Sequence, residues 1–420
     1  MRELKVLKVK APDSVPSSDS AKESRSFDIE LITPLYGGGT VAGVNDSDFP
    51  VRPTSVRGQL RFWWRATRGA RFNTPKELYE EESKIWGNVE KPSGTDVKIH
   101  APVWKQNRAY IGPRDNNYGF GRFGSEAYVL FPAVADTSRH NLVKEGLIFN
   151  VEIAFNKDFE DDVLCAVWAW VNFGGIGART RRGCGALYCK ELAPSQNNPG
   201  MLAKWFGEAT RKYELRLDER REWPTLSSQI LTGVANTNSL VAWAGAIAPM
   251  KNFRQGVGIG RNKGSREPNR PGRSFWPEPD TLRRVFGKCN SEHKPSDKMP
   301  NGFPRAALGL PVIFHFVGSR GDPDSEMYSK GGKRMGSPII LRPLKTQDNN
   351  NAPMTVLLRA PLPEELELKG SVRTFGTAEI VNRSFTAYPN APMKGRSSNG
   401  NAVEAFIAYL KEQNFKEVGR

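Results

Sequence analysis

The sequence predicts an α+β fold that opens on a ferredoxin-like βαββαβ unit with antiparallel strands and long loop insertions. Three observations carry this. Segments of strand period and helix period follow one another in that order through the first half. The 40 glycines and 30 prolines among 420 residues call for long ordered loops. A hydrophobic fraction of 38% is modest for a helical bundle.

The elements can be justified in turn. Leu4, Val6 and Val9 suggest a starting strand, followed by a polar, flexible stretch to residue 25. Phe27–Ile32 alternates as FDIELI and reads as a strand that Thr33-Pro34 ends. Gly37, Gly38 and Gly39 open a loop, and a helix is expected from Thr54 to Arg68. Strands are expected at Val97–Val103, Ala127–Phe131 and Leu147–Phe155, with a turn-rich stretch from Gly112 to Gly124. A second helix, Phe159–Phe173, carries Glu160, Asp161 and Asp162 in its first turn, where acids complement the helix dipole. A Gly/Arg loop and the strand Ala186–Cys189 close the unit. The turn-rich APSQNNPG stretch then divides the chain into domains 1–195 and 196–420. In the second domain a helix is expected at Met201–Arg221 and strands at Ser239–Ala248, Val312–Val317, Ser337–Leu344 and Met354–Ala360. A last helix is expected at Val403–Gln413, which makes a second α+β unit with larger insertions.

The 61 Lys+Arg against 45 Asp+Glu leave a net charge of +16, which argues for an anionic partner, nucleic acid or a membrane surface. No run of 18 apolar residues occurs, so no transmembrane helix is expected. Met1–Ser26 has no apolar core of the secretory type. Four cysteines without framework spacing suit a reducing cytoplasm.

The charge is concentrated in three places. Arg52, Arg57, Arg61, Arg65, Arg68 and Arg71 crowd a segment without acids. At about 100° per residue, Arg57, Arg61, Arg65 and Arg68 share one helix face, and Val56, Leu60, Trp63 and Thr67 form the adjoining buried stripe. Trp64 borders the two and could stack a base, while the guanidinium groups suit phosphate. The alternative is a helix paired to acids elsewhere in the fold. Residues 174–185, GGIGARTRRGCG, offer Gly174, Gly175 and Gly177 for close approach of backbone amides to phosphate, with Arg179, Arg181 and Arg182 adding charge. The alternative here is a strained turn whose glycines serve packing. The third place, Lys251 to Arg273, includes Lys251, Arg254, Arg261, Lys263, Arg266 and Arg270 and reads as a mobile basic arm that orders on a polyanion, or as a merely solvated loop.

Catalytic signals are sparse. Cys184 and Cys189 lack zinc-knuckle spacing, and no cofactor motif appears. Asp46 and Asp48 could hold a divalent metal near a phosphate site, although in such a loop they are more often turn residues.

The order ELITPLYGGG, VRPTSVRGQLRFWWRA, IWG at Ile85–Gly87 and GGIGARTRRGCGAL resembles the RAMP superfamily of CRISPR proteins. More narrowly it is similar to the first-numbered subunits of type III-B Cmr effector complexes. PRAALGLPVIFHF from Pro304 and MGSPIILRPL from Met335 extend the likeness into the second half. The resemblance implies two ferredoxin-like, RRM-like domains and a cytoplasmic, non-catalytic subunit. Its implied partners are CRISPR guide RNA, target RNA and other Cmr RAMP subunits, the backbone subunit among them, with no cofactor and no membrane. It implies RNA contact near the 3′ side of the guide through Gly37–Gly39, the helix motif with Arg57, Gly58, Arg61, Trp63, Trp64 and Arg65, and the Gly-rich loop. A metal-dependent ribonuclease using Asp46 or Asp48 is the alternative function.

Overall fold

The computed structural model describes residues 22–46, 49–100, 110–111, 125–130, 141–264, 272–316 and 321–418. The strand expected around Leu4–Val9, the Gly112–Gly124 turns, Asp48, Arg266 and Arg270 lie outside these residues.

The strands in chain order are β1 (Glu23–Leu31), β2 (Leu35–Tyr36), β3 (Thr95–His100), β4 (Tyr110–Ile111), β5 (Leu142–Val143), β6 (Ile148–Phe155), β7 (Leu187–Tyr188), β8 (Thr225–Thr232), β9 (Val312–Phe314), β10 (Ser325–Ser329), β11 (Ile339–Lys345), β12 (Asn351–Arg359), β13 (Glu365–Leu368), β14 (Thr374–Gly376) and β15 (Lys416–Glu417). The helices are α1 (Pro53–Ala66), α2 (Pro75–Trp86), α3 (Glu160–Phe173), α4 (Pro199–Lys212), α5 (Ser239–Gln255), α6 (Glu278–Phe286) and α7 (Ala402–Glu412).

One sheet has the order β3-β6-β1-β7 and is antiparallel throughout. With α1 between β1 and β3, and α3 between β6 and β7, this is the ferredoxin-like βαββαβ arrangement. A second sheet, β11-β12-β8-β15, repeats it, with α5 after β8 and α7 before β15. The second unit carries a large insertion, the sheet β14-β13-β10-β9, which has its own core around Phe303, Met327, Leu366 and Phe375. A small sheet, β2-β5-β4, flanks the first unit.

The two units stack. Phe27, Ile29 and Leu31 of β1 and Phe149, Val151 and Ile153 of β6 point inward onto α1 and α3, and the other side of that helix layer meets Ile230, Met354 and Val356 of the second sheet. On α1, Val56, Leu60 and Trp63 form the buried stripe that the 100° spacing predicts. α4 adds Leu202 and Phe206 to the same core, where Phe206 stacks near Trp168 at 6.3 Å between ring centroids. The far side of the second sheet is covered by α5 and α7 through Trp243, Ile247, Phe406 and Leu410.

Several elements differ from expectation. Ser239–Ala248 is not a strand: it begins α5, capped by Asn238, whose side chain accepts from the amides of Leu240 and Val241. A continuous apolar run does not distinguish a buried helix from a strand, and Pro249 disguises the last turns. Residues 125–128 form a 3-10 turn in place of the start of the expected strand at Ala127. β8 and α2 were not anticipated. α2 is set by a capping box between Thr74 and Glu77 with Pro75 at its first turn. Among the described residues no helix is long and apolar enough to cross a membrane, and all four cysteines are free.

Candidate nucleic-acid interface

The arginine stripe on α1 does not face solvent unopposed. Glu82 of α2, 2% exposed, accepts from Arg61 Nε at 2.5 Å and from Arg65 Nε and Nη2 at 2.7 and 2.6 Å. Asp162, at the start of α3, accepts from Arg68 Nε at 2.8 Å and lies 3.6 Å from Arg71. Arg68 also donates to the Tyr213 carbonyl at 2.9 Å, and Arg57 donates to the Trp86 carbonyl. Trp64 is fully buried, and its indole Nε1 donates to Asp162 at 2.7 Å. The ring therefore has no face to offer a base, which corrects the stacking expected from its border position. The stripe is one side of an internal charge network, because α2 and α3 each place one buried carboxylate against it.

The Gly-rich loop 174–185 occupies the seam between the two units. A Cβ on Gly174 would stand 2.3 Å from Trp63 Nε1, and one on Gly175 would stand 2.7 Å from the Gly185 carbonyl. Gly177, at φ +85°, passes the Tyr36 carbonyl, where a Cβ would come within 2.8 Å. These contacts join the loop to Gly37–Gly39: the Ala178 amide donates to the Tyr36 carbonyl at 2.7 Å, and the Gly38 and Gly177 backbones lie side by side. Arg52, just before α1, donates to the Gly38 carbonyl. Gly39 closes its own turn by donating to Val44 at 2.9 Å.

The loop arginines reach in different directions. Arg181 and Arg182 cross the seam and donate to the carbonyls of Ser337 and Ile339, at the start of β11. Arg179 is exposed, adopts the left-handed conformation at φ 59°, and donates to the Val129 carbonyl at 2.8 Å. Arg254, at the end of α5, lies over the Tyr128 ring at 6.0 Å, and its buried Nε has no hydrogen-bond partner. Among the described residues none of these four arginines pairs with a carboxylate. Burial is the main reason Arg182 is pulled down to about 10, and the like charges of Arg254, Arg181 and Arg179 add to it. The seam is thus a cationic cluster that pairs with no carboxylate among the described residues, unlike the α1 stripe.

Lys251 and Arg254 are helical residues of α5, not parts of a loose arm. Arg261 is held in a turn, donating from Nε to the Gln255 carbonyl at 2.6 Å, and Lys263 beyond it is exposed. Asp46 accepts from the Phe49 amide at 3.0 Å, as a turn-forming aspartate does. Among the described residues no group of three His, Cys, Asp or Glu side chains is placed to hold a metal. Tyr128 joins the seam site without having been singled out, and Arg52, one of the six clustered arginines, joins it instead of the α1 stripe. The sequence signal for Tyr128 was closeness to the Gly-rich stretch that ends at Gly124.

Residues 28–188, which span most of the first unit, match the RAMP superfamily model. Two curated relatives are CRISPR system Cmr subunits of Pyrococcus furiosus. Cmr1-2 is 29% identical over 182 residues, 40% of this chain and 95% of the relative. Cmr1-1 is 27% identical over 173 residues, 38% of this chain and 46% of the relative. Among solved structures, the apo crystal structure of Cmr1 from Pyrococcus furiosus is similar at 15% identity and a TM-score of 0.49, over 81% of this chain and 88% of that one. A chain in the cryo-EM structure of type III-B Cmr-beta bound to cognate target RNA is similar at 12% identity and a TM-score of 0.48, over 80% and 94%.

Proposed function

We propose that this chain is a non-catalytic RNA-binding subunit of a type III-B CRISPR (Cmr) RNA-guided effector complex. It grips the guide–target RNA backbone near the 3′ side of the guide, and its protein partners are other Cmr RAMP subunits. The observation that carries the reading is the seam cluster. Arg179, Arg182 and Arg254 converge beside two glycine loops packed against each other, and among the described residues no carboxylate pairs with them. An uncompensated guanidinium cluster suits phosphate, which it can bind through paired hydrogen bonds. Sequence would be read by pairing between guide and target, since the site offers charge and backbone rather than base-specific groups.

The test is a charge reversal at the exposed member. Arg179→Glu should weaken binding about tenfold for RNA of any sequence and flatten the salt dependence by roughly one unit for each lost phosphate contact. Unchanged affinity and slope in a filter-binding titration would sink the proposal. Magnesium-dependent RNA cleavage by the purified chain, abolished by Asp46→Ala, would overturn its non-catalytic half.

A further inference from the structure

Beside the seam, a cleft of about 460 Å³ lies between the end of α5 and the inserted sheet. Five arginines line it (Arg254, Arg261, Arg273, Arg283 and Arg305), along with two histidines, His293 and His315. The carboxylates in the lining are Asp280 and Glu292. Asp280 is buried and already engaged, accepting from Arg273 Nη2 at 2.6 Å and from Arg283 Nη1 at 2.8 Å. Behind it, Asp322 accepts from Arg283 Nε at 2.8 Å and lies 2.8 Å from His293 Nδ1. Glu278, fully buried, pairs with Arg305 at 3.2 Å.

Asp280, Asp322 and Glu278 therefore form a second layer that fixes Arg273, Arg283 and Arg305 in place, while Glu292 stands exposed in the lining beside the five arginines. Such a built lattice suits an anion, because guanidinium groups held by buried acids keep further N–H donors for a ligand. The lining also has an apolar side: the half-buried Phe316, with the Arg283 guanidinium 4.8 Å from its ring centre, the exposed Ile313 at the rim, and behind them the buried Phe314. A phosphate beside a flat apolar group is the chemistry of a nucleotide. The volume lies in the ordinary range for one small ligand and excludes a duplex. Arg254 belongs both to this cleft and to the seam cluster, so a strand leaving the seam would enter here.

We infer that this cleft takes one splayed nucleotide of single-stranded RNA, its phosphate on the arginines and its base against Phe316 and the rim residue Ile313. The inference rests on the RNA-binding reading above and extends it to an unpaired stretch of the strand.

The experiment uses the full chain and three probes: a short oligouridylate carrying one 4-thiouridine, duplex RNA of equal length, and adenosine monophosphate. Arg261→Glu removes a cleft cation that, among the described residues, is bonded through its side chain to the Gln255 carbonyl. Ile313→Trp fills the rim from an exposed position without touching the ion-pair lattice. Each should lower oligouridylate affinity about tenfold, leave duplex binding unchanged, and remove a photocrosslink mapping to the cleft walls. If Arg179→Glu still weakens RNA binding while neither cleft variant does, and the crosslink maps elsewhere, the cleft inference is overturned and the wider reading survives. If the unaltered chain binds no RNA, the wider reading falls too. If adenosine monophosphate fills the site and Ile313→Trp blocks it, with no RNA crosslink there, the ligand is a free nucleotide and the strand assignment is overturned.

Discussion

Glu82 and Asp162 decide what the α1 arginines do. A stripe of like charges is costly on a bare helix, and the fold relieves it with two buried acids. Glu82→Ala leaves Arg61 and Arg65 beside an empty, desolvated site. With side-chain exposures of 27% and 39%, these arginines regain part of their hydration. The expected loss is therefore about 1–3 kcal/mol, below that of a fully buried pair. A urea titration should show the lower midpoint, and RNA affinity should not fall, since the pair is internal. The sequence displayed the arginines plainly but hid their partners. Glu82 lies in α2, a helix that the sequence reading does not anticipate, and Asp162 looks like an ordinary first-turn acid completing a helix dipole.

At the scale of elements, glycine has two different uses here. Gly183 lies at φ +78°, where a Cβ would approach Trp243 Nε1 to 2.6 Å and the Leu341 carbonyl to 2.7 Å. Gly183→Ala should destabilise by about 1–3 kcal/mol, from left-handed strain and overpacking together, visible as a lower melting midpoint. Gly58 is the contrast: it lies on the open side of α1 with nothing within 4 Å of its Cβ position. Gly58→Ala should raise the midpoint slightly, by about 0.5–1 kcal/mol of stability. The α1 stripe, the β1 alternation and the α3 start were legible because each is a local period or cap. The α5 helix was not, because an all-apolar run has no polar face to mark its period. Nor could the Gly-rich loop's packing role be read, since the surfaces it meets lie far away in sequence.

At the scale of the molecule, the two units are joined by more than apolar contact. Arg342 of β11 is fully buried and donates to the carbonyls of Val171 and Gly174, at the end of α3, at 2.8 and 2.6 Å. It also donates to Leu187 of β7 at 2.6 Å and to its neighbour Pro343 at 2.9 Å. Burial pulls its guanidinium down to about 9. Arg342→Met would fill much of the volume and leave several buried carbonyls unpaired, at about 1–3 kcal/mol each. Denaturant unfolding of that variant should separate into two transitions, one for each unit. The doubled topology was half-legible: the first βαββαβ order could be read directly, whereas the second was masked by the inserted sheet and by the misread α5. The charge surplus was legible as a total but not as a map. The outer face of the first sheet presents Asp28, Asp96 and Glu152 beside Lys98 and His100, so the cationic excess lies elsewhere.

The Arg342 joint has a kinetic side. A protein that must hinge shut on its ligand associates at the pace of its own closure. Here the joint holds the seam arginines and both glycine loops in register before any strand arrives. Capture of RNA should therefore proceed in a single exponential phase whose rate climbs steeply as salt is lowered, as for a preformed charged surface meeting a polyanion.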